Sequence, residues 1–204
     1  MSVIISGTGV YTPPSKISNK ELVESYNAYA DLFNLKNKEE ILKGSLEKLT
    51  HSSEEFIEKV SGIQSRYVLD KKGILDPNRM RPFLKERSNE EASIQAEIAV
   101  IACEEAIDRS NKKIEDIDAV ICACANLQRA YPAVSIEIQN LLGIDGYAYD
   151  MNVACSSSTF GLQNAVSDIE TGLAKSVLVV SPEICSGHLN FKDRDGHFIF
   201  GDVC

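Results

Sequence analysis

The chain has 204 residues, 44% of them hydrophobic, enough to bury a sizeable core in one or two domains. A net charge of −9 argues against nucleic acid as a partner, because phosphate binding needs a basic face. No apolar run is long enough to span a bilayer and the N-terminus lacks a basic segment leading into an apolar one, so a soluble, cytoplasmic protein with no membrane association is expected.

Val3–Val10 reads as a buried first strand. Its Gly7-x-Gly9 spacing is not a dinucleotide loop, since Pro13-Pro14 stands where a helix should open and no third glycine follows. Ser18-Asn19-Lys20-Glu21 is a capping box ahead of a helix with Leu22, Tyr26, Ala30 and Phe33 on one face. A second helix is expected around Ile41, Leu42, Leu46 and Leu49. Ser52-Ser53-Glu54-Glu55 opens a third, which carries Phe56, Ile57 and Val60 and ends at Gly62. Residues 65–87 show no period and contain Gly73, Pro77 and Pro82, so they are expected to form an irregular loop. That loop holds Arg79, Arg81, Lys85 and Arg87, read either as solvated charge or as a docking surface for an acidic partner.

Ser88-Asn89-Glu90-Glu91 is a further capping box, expected to start a long helix that reaches about Arg109 with Ile94, Ile98, Ile101 and Ala102 inward. Ile117–Ala125 is a second strand, Ser135–Leu142 a helix stopped by Gly143, and Gly146–Ala154 a third strand. Ser176–Val180 is a fourth strand, and His197–Phe200 begins a fifth. Helices alternating with short strands imply an α/β fold with a mostly parallel, five-stranded sheet. The chain stops directly after an apolar segment, so it is expected to be one half of a larger fold.

The six cysteines are Cys103, Cys122, Cys124, Cys155, Cys185 and Cys204. They include no Cys-x-x-Cys pair and sit mostly in apolar runs, so reduced, buried thiols are expected for all but Cys155, with no metal site. Cys122-Ala123-Cys124 is read as turning its two thiols to opposite faces of a strand. Cys155 differs. It falls where the third strand ends and a small-residue helix begins, within Met151-Asn152-Val153-Ala154-Cys155-Ser156-Ser157-Ser158-Thr159-Phe160-Gly161. Unpaired N–H groups and the positive end of a helix dipole suit a cysteine nucleophile there. The helix reads Phe160, Leu162, Ala165, Val166, Ile169, with Ser157, Ser158 and Gly161 allowing close packing and Gly172 at its stop. The residues support acyl transfer by Cys155 and no particular substrate. His51, His188 and His197 carry no motif.

Several motifs in one order carry a resemblance. They are Ala154-Cys155 with its helix, Ala130-Tyr131-Pro132 ahead of Ile138-Gln139-Asn140-Leu141-Leu142-Gly143-Ile144, Ser61-Gly62-Ile63-Gln64-Ser65-Arg66, and Ile199-Phe200-Gly201-Asp202. Together they resemble the β-ketoacyl-acyl carrier protein synthase III family of the thiolase fold, over nearly the whole chain except a helical insertion at about 27–50. The branch most similar is that of the β-ketodecanoyl synthases, which use medium-chain primers.

The resemblance implies the N-terminal half of a layered αβαβα fold and a condensing enzyme of fatty acid biosynthesis. Cys155 would be acylated by an acyl-CoA, and the acyl group would then condense with malonyl-acyl carrier protein, releasing CO₂. Both are substrates; no cofactor is implied. The Cys155 N–H would donate to the thioester oxyanion. The histidine and asparagine that assist decarboxylation would lie in the C-terminal half, which is expected to be absent here. Tyr131 matches an aromatic that reaches across a homodimer to bound the acyl pocket. Arg194 matches an arginine on the CoA nucleotide, with Phe56 in place of an adenine-stacking tryptophan and Ser52 nearby. Val60 replaces a phosphate-binding arginine, a departure that bears on how CoA is held. The basic cluster at 79–87 becomes a candidate dock for the acidic carrier protein. Two alternatives stand beside this reading: a cysteine hydrolase or thioesterase pairing Cys155 with His188 or His197, and a non-catalytic acyl-binding half of a two-chain assembly.

Overall fold

A computed structural model describes residues 2–204. In chain order the elements are β1 (Ser15–Ser18), α1 (Asn19–Lys36), α2 (Lys38–Leu42), α3 (Glu54–Ser61), β2 (Ser65–Val68), α4 (Lys71–Leu75), α5 (Ile94–Ser110), β3 (Ala119–Ala123), α6 (Val134–Leu142), β4 (Tyr147–Met151), α7 (Ser157–Glu170), β5 (Val177–Val180), β6 (Glu183–Ile184) and β7 (Asp202–Val203). They form two compact units. One comprises Met1–Thr12, Glu86–Glu183 and Val203–Cys204, the other Pro13–Lys85 and Ile184–Asp202.

The first unit is an α/β/α layer. Its parallel sheet has the order β4-β3-β5, with Ala119 of β3 in register with Tyr147 and Val177. Every residue of β3 is buried, as a central parallel strand with both faces covered requires. One face meets α5 and α6 through Ala99, Cys103, Ile107, Val120, Cys122, Ile138 and Val180. The other meets α7 through Ile121, Ala123, Val179 and Ala165. Cys122 and Cys124 belong to the same core, which corrects the expectation that they face apart. Alternate residues of a strand reverse, so positions two apart share a side.

The expected five-stranded sheet is three-stranded. Val3–Val10 joins no ladder because its glycines press it onto helix backbone: a Cβ at Gly7 would lie 2.1 Å from the Ala106 carbonyl oxygen, and one at Gly9 2.0 Å from that of Ala102. That contact accounts for the Gly-x-Gly spacing. His197–Phe200 is coiled rather than extended, with backbone bonds from His197 N to Asp193 O and from Ile199 N to Gly196 O. The capping box at 88–91 makes a turn, Glu91 accepting from the Ser88 N–H, and α5 begins later on a Ser93 cap. Ile101 faces outward on α5, where Ala99 and Cys103 point in.

The second unit is held differently. β1 and β2 pair antiparallel, and α1 buries Leu22, Tyr26 and Ala30 against Ile17, Ile57, Val68, Ile74 and Phe191. The Ser18–Glu21 capping box forms as read. The region expected as loop contains β2 and α4, whose start is capped by Asp70 bonding the Lys72 and Gly73 amides. The second helix stops at Leu42 with no buried residue, and of its expected apolar positions Leu49 packs on the core from the segment that follows. Arg66, 5% exposed, donates to Ile17 O, Asn19 Oδ1 and Phe198 O, and burial lowers it to about 10. The Arg and Gly-Asp motifs therefore serve the fold: Asp202 accepts from Ser186 N, Ser186 Oγ and Leu69 N, and a Cβ on Gly201 would meet Tyr67 O at 2.6 Å.

Candidate active site

Cys155 stands at the apex of the turn between β4 and α7. Two side chains stitch that turn. Asn152 donates from Nδ2 to Ala125 O (2.7 Å) and accepts the Ala154 N–H at Oδ1 (2.9 Å). Ser157 Oγ accepts the Val153 N–H (2.9 Å) and donates to Ala154 O (2.7 Å). The bend forces Ala154 to φ +48°, a left-handed conformation costing a side-chain-bearing residue about 1–2 kcal/mol. The helix was expected to open at Cys155; it opens at Ser157, because the turn absorbs Cys155 and Ser156. The thiol is thus projected from a sharp strand-to-helix elbow, ahead of the first turn, and its own N–H has no hydrogen-bond partner among the described residues.

Burial separates Cys155 from the other thiols. It is exposed, whereas Cys103, Cys122 and Cys124 are buried and Cys185 and Cys204 partly so. Burial pushes the Cys103 and Cys122 thiols far up and Cys124 to about 12, so these are not nucleophiles at neutral pH.

The helix behind Cys155 buries only Ser157, Gly161 and Ala165 on the sheet. A Cβ on Gly161 would sit 2.8 Å from Ala123 Cβ and 2.9 Å from Val179 Cγ1, so glycine sets how near α7 lies. Phe160 and Leu162, the first apolar residues of the helix, are 48% and 44% exposed. In the same unit, α6 lacks a cap of its own, and the Asp150 carboxylate of β4 supplies one, accepting the Val134 and Ser135 amides at 2.9 and 2.7 Å. The loop before it carries Tyr131, 88% exposed, followed by a cis peptide to Pro132.

In the second unit the structure brings Ser52, Phe56 and Arg194 together. The Arg194 guanidinium lies over the Phe56 ring at 4.2 Å, its Nε donates to His51 O at 2.8 Å, and it pairs with Asp195 at 2.9 Å. Ser52 is buried with its hydroxyl unpartnered. Arg194 offers a flat cation laid on an aromatic ring, suited to an aromatic, phosphate-bearing ligand, while the Ser52 hydroxyl is enclosed. Val60, one turn along α3, is exposed and contributes no charge.

Sequence reasoning missed what holds this site. Asn27 pairs reciprocally with the Ser52 backbone (2.8 and 3.1 Å), and Asn34 with that of Leu49 (2.9 and 2.9 Å). The two asparagines stand two helical turns apart on α1 and clip the returning 49–52 segment to it. Their seven-residue spacing beside the apolar stripe was the available signal. The basic loop is partly spent: Arg79 stacks on Phe83 at 3.7 Å and donates to Arg81 O and Pro82 O, and Arg87 pairs with Glu97 at 2.7 Å. His51 pairs with Asp31 (2.8 Å) and His188 is exposed, while His197 is fully buried and has no access to a dissolved substrate.

Residues 149–204 match the family model for 3-oxoacyl-[acyl-carrier-protein (ACP)] synthase III. The chain is 59% identical over 182 residues to a β-ketodecanoyl-[acyl-carrier-protein] synthase of Pseudomonas aeruginosa, covering 89% of this chain and 52% of that protein. A β-ketoacyl-[acyl-carrier-protein] synthase III of Granulibacter bethesdensis is 28% identical over 200 residues, 98% of this chain and 48% of the relative. The crystal structure of 3-oxoacyl-[acyl-carrier-protein] synthase III from Aquifex aeolicus superposes with a TM-score of 0.70 at 27% identity, over 98% of this chain and 50% of that one. The chain therefore spans about half the length of the relatives it matches. No helix among the described residues is long and apolar enough to cross a membrane. With its cysteine elbow and thiolase-like α/β fold, the chain belongs, over the length it spans, to the β-ketoacyl-acyl carrier protein synthase III family.

Proposed function

We propose that this chain carries the nucleophile of a condensing enzyme of fatty acid biosynthesis, acting in the cytoplasm. The Cys155 thiolate attacks the carbonyl of an acyl-CoA thioester, the Cys155 N–H takes the oxyanion, and CoA leaves as its thiolate. Loss of CO₂ from malonyl-acyl carrier protein then gives the carbanion that attacks the acyl-cysteine, forming the new C–C bond and freeing the thiolate. The observation that carries the reading is Cys155 itself, the exposed cysteine on a strained elbow with its N–H unspent. The 59% identity to a β-ketodecanoyl synthase supports a medium-chain primer.

Ser52, Phe56 and Arg194 are assigned to the CoA nucleotide. Tyr131, exposed and at the end of a loop, is assigned to the acyl pocket of a partner copy in a homodimer. The histidine and asparagine that assist decarboxylation are assigned, on the resemblance, to a segment outside these residues; His197 is enclosed and His51 is paired. CoA and the carrier protein enter as substrates, with no resident cofactor. The test is acyl-CoA and malonyl-acyl carrier protein turnover by the full-length natural protein. A β-ketoacyl product that disappears in Cys155→Ala supports the reading, and free fatty acid as the product supports a thioesterase instead.

A further inference from the structure

We propose that His197 is a positioning residue for the nucleotide subsite: enclosed in an aromatic column, its ring holds the Asp193–Arg194 backbone so that the Arg194 guanidinium lies over Phe56. The inference rests on the reading of Ser52, Phe56 and Arg194 given above.

The geometry is continuous within the second unit. His197 has no exposed surface and stacks on Tyr26 with centroids 4.8 Å apart and planes 20° apart. Its ring meets Phe198 edge-on at 5.4 Å, Phe198 meets Phe56 edge-on at 5.9 Å, and Phe56 carries Arg194. At the other end Tyr26 meets Tyr29 at 6.2 Å, and Lys192 of the same loop lies over Tyr29 at 5.3 Å. One loop therefore lays a cation on each end of one row of rings, and His197 is the member of that row whose polar atoms reach the loop's own backbone.

The hydrogen bonds fix its protonation. Nδ1 lies 3.1 Å from Asp193 O and 2.8 Å from Arg194 O. Both are acceptors, so Nδ1 carries the proton and Nε2 is left as a bare lone pair. Nε2 is buried with no partner. A second proton would have to sit on that atom, where nothing accepts it. The charged and titratable groups around the ring are Arg66 from β2, Tyr26 from α1, and Asp193 and Arg194 from its own loop. Burial depresses the basicity of the ring and the Arg66 charge adds to this, against the pull of the two carbonyls. The ring is thus neutral when it holds the loop, and a second proton would place an enclosed charge on Nε2 with no acceptor, destabilising the column that seats the loop.

The test uses the full-length natural protein with coenzyme A as the probe, its dissociation constant measured by calorimetry between about pH 5 and 8, a window around the ordinary histidine value. His197→Phe keeps the stacked ring and loses the N–H; His197→Asn keeps an N–H near the Nδ1 position. We expect His197→Phe to weaken coenzyme A binding about tenfold, the scale of one desolvated cation–π contact, and His197→Asn to rescue most of that loss. The wild type should bind less tightly as pH falls, and His197→Asn should lack this slope. Acylation of Cys155 by an N-acetylcysteamine thioester, which has no nucleotide, should be equal in all three.

Wild-type affinity in His197→Phe, or the same acid slope in His197→Asn, would overturn the proposal. So would equal losses with both thioesters, which indicate a general structural role. If His197→Phe does not fold, the acid slopes of the wild type and His197→Asn decide alone. A wild type acylated by N-acetylcysteamine thioester that binds no coenzyme A removes the nucleotide site, and the proposal with it. Acylation by neither thioester removes the functional reading instead.

Discussion

The two compact units reach order by different physics. The unit that carries Cys155 is a regular layer: an all-buried β3 flanked by parallel partners, with apolar residues facing α5 and α6 on one side and α7 on the other. Non-directional burial, at about 25 cal/mol per Å², holds the sheet to its helices there, while Asp118, Asp150 and Asn152 bond backbone at the loops. The unit that carries Arg194 has a smaller apolar core and relies on side chains that bond backbone: Asn27, Asn34, Arg66, Asp70, Asp202 and His197. Such bonds are worth only about 0.5–1.5 kcal/mol each, but they fix position and angle. Directional bonds recur where each candidate site is held: Asn152 and Ser157 at the Cys155 turn, Asn27 and His197 beside Arg194.

The difference can be broken from either side. In the packed unit, Gly161→Val should give the largest loss, because even its Cβ lies inside 3 Å of Ala123 and Val179 on the sheet. Overpacking of this kind costs about 1–3 kcal/mol, and thermal denaturation should show it at the upper end. In the clamped unit, Asn27→Ala should cost less, about 1–2 kcal/mol, for one reciprocal pair and the backbone groups it leaves bare. It should weaken coenzyme A binding more than Asn34→Ala does, since Asn27 holds Ser52 and Asn34 holds Leu49. Equal effects of the two would show that the clip is only structural.

This contrast also governs what could be read from the sequence. The alternation of helices with short strands, the Cys155 turn, and the stops at Gly62, Gly143 and Gly172 were legible because apolar period and glycine placement report local geometry. Gly62, Gly143 and Gly172 all have φ near +70 to +80°. Val3–Val10 and His197–Phe200 were not legible as coil, because an apolar run looks the same whether it faces a strand or a helix. Ser52, Phe56 and Arg194 came through their family resemblance alone; that Arg194 stacks on Phe56 at 4.2 Å and bonds the His51 carbonyl is a tertiary contact no local pattern announces. The seven-residue spacing of Asn27 and Asn34 marks one helix face but not the 49–52 backbone they bond, and nothing in the pattern shows that Asn152 reaches Ala125 O or that His197 turns back onto its own loop.

Acid separates the units more gently. His197 is depressed in the folded chain, so its contribution is complete above the ordinary histidine value of about 6.5 and is lost as pH falls below it, when the unfolded chain takes a proton that the folded one refuses. Glu21, lowered from 4.5 to about 2 chiefly by its hydrogen bond to Lys71, contributes above 4.5 and loses that contribution as pH falls towards 2. Both groups lie in the second unit, and in the first Asp118, held down chiefly by the Lys175 amide, adds to the lower descent. A denaturation series from neutral to acid should show two descents, the lower one shrinking in high salt because the Glu21–Lys71 pair is partly exposed. Removing the higher descent with His197→Asn sharpens its assignment. The smallest effect belongs to Tyr131→Ala, which should change stability by less than about 0.5 kcal/mol because its side chain is 88% exposed. If Tyr131 bounds the acyl pocket, the same variant should shift the preferred primer length.

Acyl transfer to Cys155 can be read by peptide mass analysis after incubation of the full-length natural protein with octanoyl-CoA. An octanoyl group is expected on the peptide bearing Cys155, none on Cys103, Cys122 or Cys124, and none anywhere in Cys155→Ala at unchanged thermal stability. An acyl group on another cysteine with Cys155 bare would rule out Cys155 as the nucleophile.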